Sequence, residues 1–165
     1  MKKLVAILLL IGVVQVANAQ DVITTFILVR HAEKDLTQST NDPDLSADGK
    51  TRATRLSELL KKTDITAVYS TPYKRTQQTV SAVAAERGLT VATYQAKPED
   101  IDNMIKQHAG GTIVLSGHSN TTPALLNYLV GEEKYKQFDD SDYGNVIVVS
   151  ITTRGKGAKV TWLRY

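Results

Sequence analysis

The sequence predicts an α/β fold, a three-layer sandwich. It has a mostly parallel sheet, helices on both faces and a C-terminal antiparallel hairpin. Three observations predict it. Short apolar runs alternate with stretches of helical periodicity along most of the chain. Several of those runs end on residues with chemistry: Phe26-Ile27-Leu28-Val29 on Arg30-His31, and Ile113-Val114-Leu115 on Gly117-His118. In a parallel sheet the carboxyl ends of the strands share one edge, where open α/β folds bind ligands. Finally, Arg154-Gly155-Lys156-Gly157 separates two strand-like runs between Asn145 and Tyr165, a hairpin signal.

Each element has its own reason. Ile23 to Arg30 reads as a buried strand, followed by a polar loop from His31 to Leu45. A loop of that length without structure of its own is usually functional. Ser46 reads as a helix cap, Asp48 suits the first turn, and Ala53, Leu56, Leu59 and Leu60 make an apolar face; Lys61-Lys62 is placed in the last turn. Ala67 to Ser70 is the second strand. Thr71-Pro72 is expected to open a helix, with Tyr73, Thr76, Val80, Val83 and Ala84 on its apolar face and Gly88 at its end. Thr90 to Tyr94 is the third strand, and Pro98 opens a helix through Ile101, Met104 and Ile105. Thr112 to Ser116 is the fourth strand. Thr121 is expected to cap a helix through Leu125, Leu126, Leu129 and Val130, which Gly131 ends.

The first residues stand apart. Lys2 and Lys3 precede an apolar run from Leu4 to Val16, broken only by Gln15, and Ala17-Asn18-Ala19 supplies a small-x-small cleavage pattern. The run falls short of the ~20 apolar residues a membrane span needs. Residues 1–19 are therefore expected to be a signal peptide and 20–165 one domain, periplasmic or secreted, with no stable membrane anchor after cleavage. Without Lys2 and Lys3, 18 basic residues face 17 acidic ones. No basic cluster is interleaved with aromatics, so no nucleic-acid partner is expected. The absence of cysteine excludes disulfides, a lipid-anchored N-terminal cysteine and cysteine-based phosphatase chemistry.

The chemistry gathers on two histidines and two arginines. His31 is the candidate nucleophile, because a neutral imidazole can attack phosphorus and split a hydrolysis into two easier steps. Arg30 and Arg75 are the candidate clamp, since guanidinium groups bind phosphoryl oxygens bidentately. His118 precedes a helix start and could donate to a phosphoryl oxygen. His108, near a helix end, reads as an ordinary surface residue. Metal ligation is disfavoured: no His-x-x-His or His-x-x-x-His spacing occurs, and two arginines would repel a cation. A serine-hydrolase elbow is lacking, since Leu115-Ser116-Gly117-His118-Ser119 has no first glycine.

Together these segments resemble the histidine phosphatase superfamily, in its small, minimal-domain, phosphoglycerate mutase-like form. Arg30-His31-Ala32-Glu33 resembles the Arg-His-Gly-Glu signature, with alanine for glycine. Leu45-Ser46-Ala47-Asp48-Gly49 is similar to the family's Leu-Ser/Thr-x-x-Gly helix start. The segment from Ser70 to Thr79 resembles its element of a hydroxyl residue, an arginine and a Gln-Thr pair. Gly117-His118-Ser119-Asn120 resembles the segment of the second histidine. The resemblance implies phosphorylation of His31 in a pocket completed by Arg30, Arg75 and His118, with Asn120 beside them and no metal or organic cofactor. The proton donor has no clear family pattern here. Glu99 is the first choice, Asp100 the second and Glu33 the third; the substrate itself can also supply the proton in minimal members.

The expected function is an exported phosphatase that hydrolyses phosphomonoesters or phosphoramidates through phosphohistidine. Its substrate would be a phosphorylated small molecule, an envelope sugar or a protein. The alternative is a non-catalytic phosphate- or anion-binding envelope module of the same fold.

Overall fold

The computed structural model describes residues 22–165. The expected signal peptide, residues 1–19, lies outside the described residues. The elements are β1 (Thr24–Arg30), α1 (Ala47–Leu60), β2 (Ala67–Ser70), α2 (Lys74–Ala85), β3 (Val91–Thr93), α3 (Pro98–Gln107), β4 (Thr112–Gly117), α4 (Thr121–Val130), β5 (Asn145–Ile151) and β6 (Lys159–Arg164). The sheet order is β3-β2-β4-β1-β5-β6. β3, β2, β4 and β1 are parallel; β5 runs antiparallel to β1, and β6 antiparallel to β5.

Alternation along the central strands builds two cores. Phe26 and Leu28 of β1 face Ile101 and Met104 of α3 and Leu125, Leu126 and Leu129 of α4. Ile27 and Val29 face the other way, onto Leu56 and Leu60 of α1 and Val80 and Val83 of α2. Side chains on a strand alternate between faces, so one continuous apolar run serves both layers. Removing one such fully buried leucine or isoleucine typically costs about 2–5 kcal/mol.

The register sets the site. Arg30 of β1 is level with Gly117 of β4, and Ser116 of β4 is level with Ser70 of β2. Beyond the ladder, His31 N–H donates to the Gly117 carbonyl at 2.9 Å, and Thr71 N–H to the Ser116 carbonyl at 3.2 Å. The residues that follow β1, β2 and β4 thus start side by side. Two glycines permit this crowding. A Cβ on Gly49 would collide with the Glu33 carbonyl, so α1 can pack on the turn after β1 only with glycine there. A Cβ on Gly117 would lie 2.7 Å from Thr121 Oγ1, which holds α4 against the end of β4.

Several expected boundaries shift, each for a local reason. α2 opens at Lys74 rather than at Thr71-Pro72. The Thr71 carbonyl is taken by Tyr73 N–H at 2.8 Å and by the Thr76 hydroxyl at 2.9 Å, so it cannot start the helical ladder. The Asp42 carboxylate instead accepts from Lys74 N–H at 2.9 Å and closes the helix start from outside. Tyr73 consequently leaves the apolar face and stands 40% exposed. α1 ends at Leu60, leaving Lys61 as its C-cap and Lys62 beyond it. β3 is shorter than expected, Val91–Thr93. Asn120, not Thr121, is the N-cap of α4; the Thr121 hydroxyl accepts from His118 N–H at 2.8 Å instead.

Two long connections cover the site edge. Residues 31–45 form a bridge between Lys34 and Leu45 and a side-chain network in which Gln38 and Gln78 both donate to Asp44. Residues 131–144, to which the sequence assigned no element, form a strap from α4 to β5. Buried Asn127 anchors its start by accepting from Lys134 and Tyr135 N–H. Phe138 N–H donates to the Ser119 carbonyl at 3.0 Å and draws the strap over the end of β4.

Candidate active site

A cleft of about 840 Å³ opens at this edge, and Arg30, His31, Arg75, His118 and Asn120 all line it. Four of these residues are the sequence-predicted histidines and arginines. Asn120 is exposed, and its side chain makes no capping bond.

His31 is 6% exposed. Its Nδ1 lies 2.7 Å from the Ala32 carbonyl. A carbonyl can only accept, so Nδ1 carries the proton and Nε2 keeps its lone pair. Burial is the main force lowering the His31 pKa to about 4; the Ala32 bond opposes it, and the charges of Arg75, His118 and Arg30 add to it. At neutral pH the ring is therefore uncharged, as a nitrogen nucleophile must be. Ala32, at the glycine position of the signature, is fully buried against Leu45 and Ala53, and its N–H donates to Thr79 Oγ1.

His118 stands across from it, with ring centroids 5.4 Å apart and planes at 68°. Burial, then Arg75, then Arg30 lower its pKa to about 4 as well. Its Nε2 lies 3.0 Å from Thr71 Oγ1.

The arginines are held from behind. Arg30 Nη1 donates to the carbonyls of Asp139, at 2.7 Å, and Asp142, at 3.1 Å, both on the strap. Tyr143 lies over its guanidinium at 4.3 Å. Arg75 Nη1 reaches the Asn41 carbonyl at 3.4 Å and the Asp42 carboxylate at 3.6 Å, and Tyr73 lies over it at 4.5 Å. In both residues Nε is buried and has no hydrogen-bond partner among the described residues. A buried guanidinium N–H without an acceptor is costly. Both guanidinium groups line the cleft, where planar, charged donors suit an anion's oxygens.

The carboxylates divide differently from the expectation. Glu99, the first choice of proton donor from the sequence, is exposed on α3 and is not among the residues that line the cleft. Pro98 starts α3, and Glu99 follows it in the first turn. Asp100 is also outside; its carboxylate accepts from Gln95 and Lys97 N–H and caps the helix. Glu33 does line the cleft, but Arg52 holds it with bonds of 2.6 and 2.9 Å. Burial pushes Glu33 upward, yet the Arg52 hydrogen bonds and charge outweigh it and leave the pKa lowered. Asp140, on the strap, is a cleft carboxylate that the sequence reading missed. It lies 3.8 Å from Arg30 Nη2 and is 96% exposed.

Tyr73 and Tyr143 were missed too. Tyr73 stacks edge-on against His118 at 5.0 Å, and Tyr143 lies 6.1 Å from His31. The strap has no periodicity to betray it, whereas helical spacing alone puts Tyr73 on an apolar face. His108 is outside the cleft lining, half-buried, with Nε2 2.8 Å from the Tyr69 hydroxyl. Among the described residues, no three His, Cys, Asp or Glu side chains gather closely enough to hold a metal ion.

Residues 26–97 match the family model of the histidine phosphatase superfamily, branch 1. That stretch contains His31, Arg30 and Arg75 in the geometry just described, and His118 completes it from β4. Over that stretch the chain is similar to the histidine phosphatase superfamily. Phosphoserine phosphatase 1 of Hydrogenobacter thermophilus is 40% identical over 70 residues, covering 39% of this chain and 33% of that protein. The match thus spans about a third of the relative's length. Among solved structures, a mycobacterial glucosyl-3-phosphoglycerate phosphatase superposes with a TM-score of 0.70 at 13% identity, covering 87% of this chain and 98% of that one. A phosphohistidine phosphatase SixA, described as putative, from Nakamurella multipartitia gives 0.61 at 21% identity, covering 86% and 96%. At these identities the structural likeness is one of fold. The chain spans nearly the whole of both structures.

Proposed function

We propose that the protein is an exported phosphatase that hydrolyses phosphomonoesters or phosphoramidates through a phosphohistidine on His31. The observation that carries this reading is the convergence of the open His31 lone pair, Arg30, Arg75 and His118 on one cleft. Arg30 and Arg75 would bind the phosphoryl oxygens and offset their charge. The His31 Nδ1–H bond to the Ala32 carbonyl orients the ring and supports the positive charge that develops when Nε2 bonds to phosphorus. Export rests on the sequence of residues 1–19.

The cleft is open, so the leaving group has room for a phosphorylated small molecule, an envelope sugar or a protein side chain. Relatives described as acting on phosphoserine, glucosyl-3-phosphoglycerate and phosphohistidine fit that breadth. The displacement of Glu99 from the cleft favours the second reading, an anion-binding module without turnover.

An aryl phosphate assay separates the two. His31→Ala should abolish turnover while the protein stays folded, and trapping with a labelled substrate should mark His31. Activity should survive a metal chelator, because the arginines carry the charge. Near-normal turnover in His31→Ala, or strong metal dependence, would sink the mechanism.

A further inference from the structure

A one-way chain of hydroxyls holds His118. Thr76 Oγ1 has a single proton and lies 2.9 Å from the Thr71 carbonyl and 2.8 Å from the Tyr73 carbonyl. Carbonyls only accept, so that proton is committed. Thr71 Oγ1, 3.0 Å from Thr76 Oγ1, must then donate to it. Thr71 has no second proton, so in its 3.0 Å contact with His118 Nε2 it accepts. His118 therefore carries its proton on Nε2, and its Nδ1 holds a lone pair. Thr71 and Thr76 are 3% and 0% exposed, so water does not compete for these bonds.

His31 is arranged in the opposite sense, with its proton on Nδ1 and its lone pair on Nε2. Neither lone-pair nitrogen is buried, and neither has a partner among the described residues. The two rings face one cleft at 5.4 Å, and each offers it a lone pair rather than an N–H. A phosphoryl oxygen set against His118 Nδ1 would meet lone pair with lone pair. A proton between them turns that repulsion into a charge-assisted hydrogen bond.

We infer that His118, set in this tautomer by Thr71 and Thr76, carries the proton of the reaction: it gains one at Nδ1 with the substrate, passes it to the leaving group, and then acts as base for the attacking water. This deepens the phosphatase reading and rests on it. A monoester monoanion brings the proton, which moves to Nδ1 as the phosphoryl group seats on the arginines. His31 Nε2 bonds to phosphorus and the P–O bond to the leaving group breaks. The leaving oxygen takes the Nδ1 proton and departs as an alcohol, and His118 is neutral again. Water then attacks phosphorus, its proton goes to Nδ1, and the N–P bond breaks to return neutral His31. The Nδ1 proton leaves with the phosphate monoanion.

The chemistry answers a gap among the carboxylates. Glu99 lies outside the cleft, Arg52 engages Glu33, and Asp140 pairs with Arg30 at 3.8 Å. The groups beside His118 are Arg30 and His31 at the end of β1, Arg75 on α2 and Tyr73 before α2; Asp140 and Tyr143 on the strap line the same cleft. Burial and the two arginines keep the free ring neutral at neutral pH, which suits the base of the second step. A bound phosphoryl dianion offsets those arginines and favours the protonated ring.

The test begins with the unaltered protein. Nitrogen NMR of labelled histidines should show opposite tautomers in the free protein, Nε2–H for His118 and Nδ1–H for His31. Calorimetry with inorganic phosphate at about pH 8, in buffers of different ionisation enthalpy, should show uptake of about one proton per phosphate bound. Thr71→Ser should preserve both results. Thr71→Val should lose proton uptake and lower kcat about 100-fold or more, with a smaller change in KM. Nδ1–H on His118 in the free protein, or phosphate binding without proton uptake, overturns the inference and leaves the phosphatase reading standing. Failure to bind phosphate at all brings down the anion site itself.

Discussion

Arg30 and Arg75 make the same four kinds of contact with unequal firmness. Each is overlaid by a tyrosine, held at Nη1 by a loop carbonyl, approached by a loop aspartate and left with a buried, free Nε. Arg30, however, is 5% exposed at the end of β1 and bonds two carbonyls at 2.7 and 3.1 Å. Arg75 is 15% exposed in the first turn of α2, and its carbonyl and carboxylate contacts are 3.4 and 3.6 Å. A strand inside a sheet cannot shift without its neighbours, whereas a helix start pinned by one aspartate can adjust. Arg30 is thus the firmly held wall of the anion site, and Arg75 the more loosely held arm.

The largest effect should come from exchanging each arginine for lysine. Lysine keeps the charge but loses the planar fork. At Arg30 a single nitrogen, Nη1, binds both strap carbonyls and fixes the plane of the group, so Arg30→Lys should lower kcat about 100- to 1000-fold, the usual loss on removing one transition-state donor. Arg75→Lys should cost at least tenfold less than that. Equal losses in steady-state assays would break the distinction.

The pH dependence sharpens it next. Both histidines titrate near 4 in the free protein, below the unfolded value near 6.5. The unfolded chain then binds more protons between those values, so stability should fall as pH drops from about 6.5 towards 4 and be fully present above that window. Among the charges, Arg75 lowers both rings more than Arg30 does. Arg75→Gln should therefore raise the two histidine midpoints, followed by NMR, more than Arg30→Gln. The reverse order would place the stronger field on the fixed side.

Asp42 offers a smaller, thermodynamic check. It closes the N-terminus of α2 and pairs with Arg75, so Asp42→Ala should cost about 1 kcal/mol in denaturant unfolding, the typical value of a lost helix cap. KM should rise as the arm loosens. An unchanged midpoint would mean that Lys74 N–H finds water without loss. The smallest expected effect is at Glu99. Glu99→Gln should leave the turnover of both alkyl and aryl phosphates within about twofold, since the residue lies outside the cleft. Selective slowing of alkyl phosphates would restore it as the proton donor.

Local pattern alone determined the alternation of strands and helices, the terminal hairpin and the placement of His31, Arg30, Arg75 and His118 on one edge. Those features follow from short-range rules: an apolar run long enough for a strand, a periodic face, and parallel strands whose ends must coincide. The same rules misplaced Tyr73, because helical spacing cannot reveal that the Thr71 carbonyl is already engaged. They gave Glu99 the proton donor's role, because position after a strand does not say which way the first turn of α3 faces. Tertiary structure alone brought the strap across β4 to Arg30, set Asp42 against α2 and joined Thr76 through Thr71 to His118. Each of these contacts joins groups whose hydrogen bonds could have been satisfied elsewhere. Only the close packing of β1, β2 and β4 at one edge removes the alternatives.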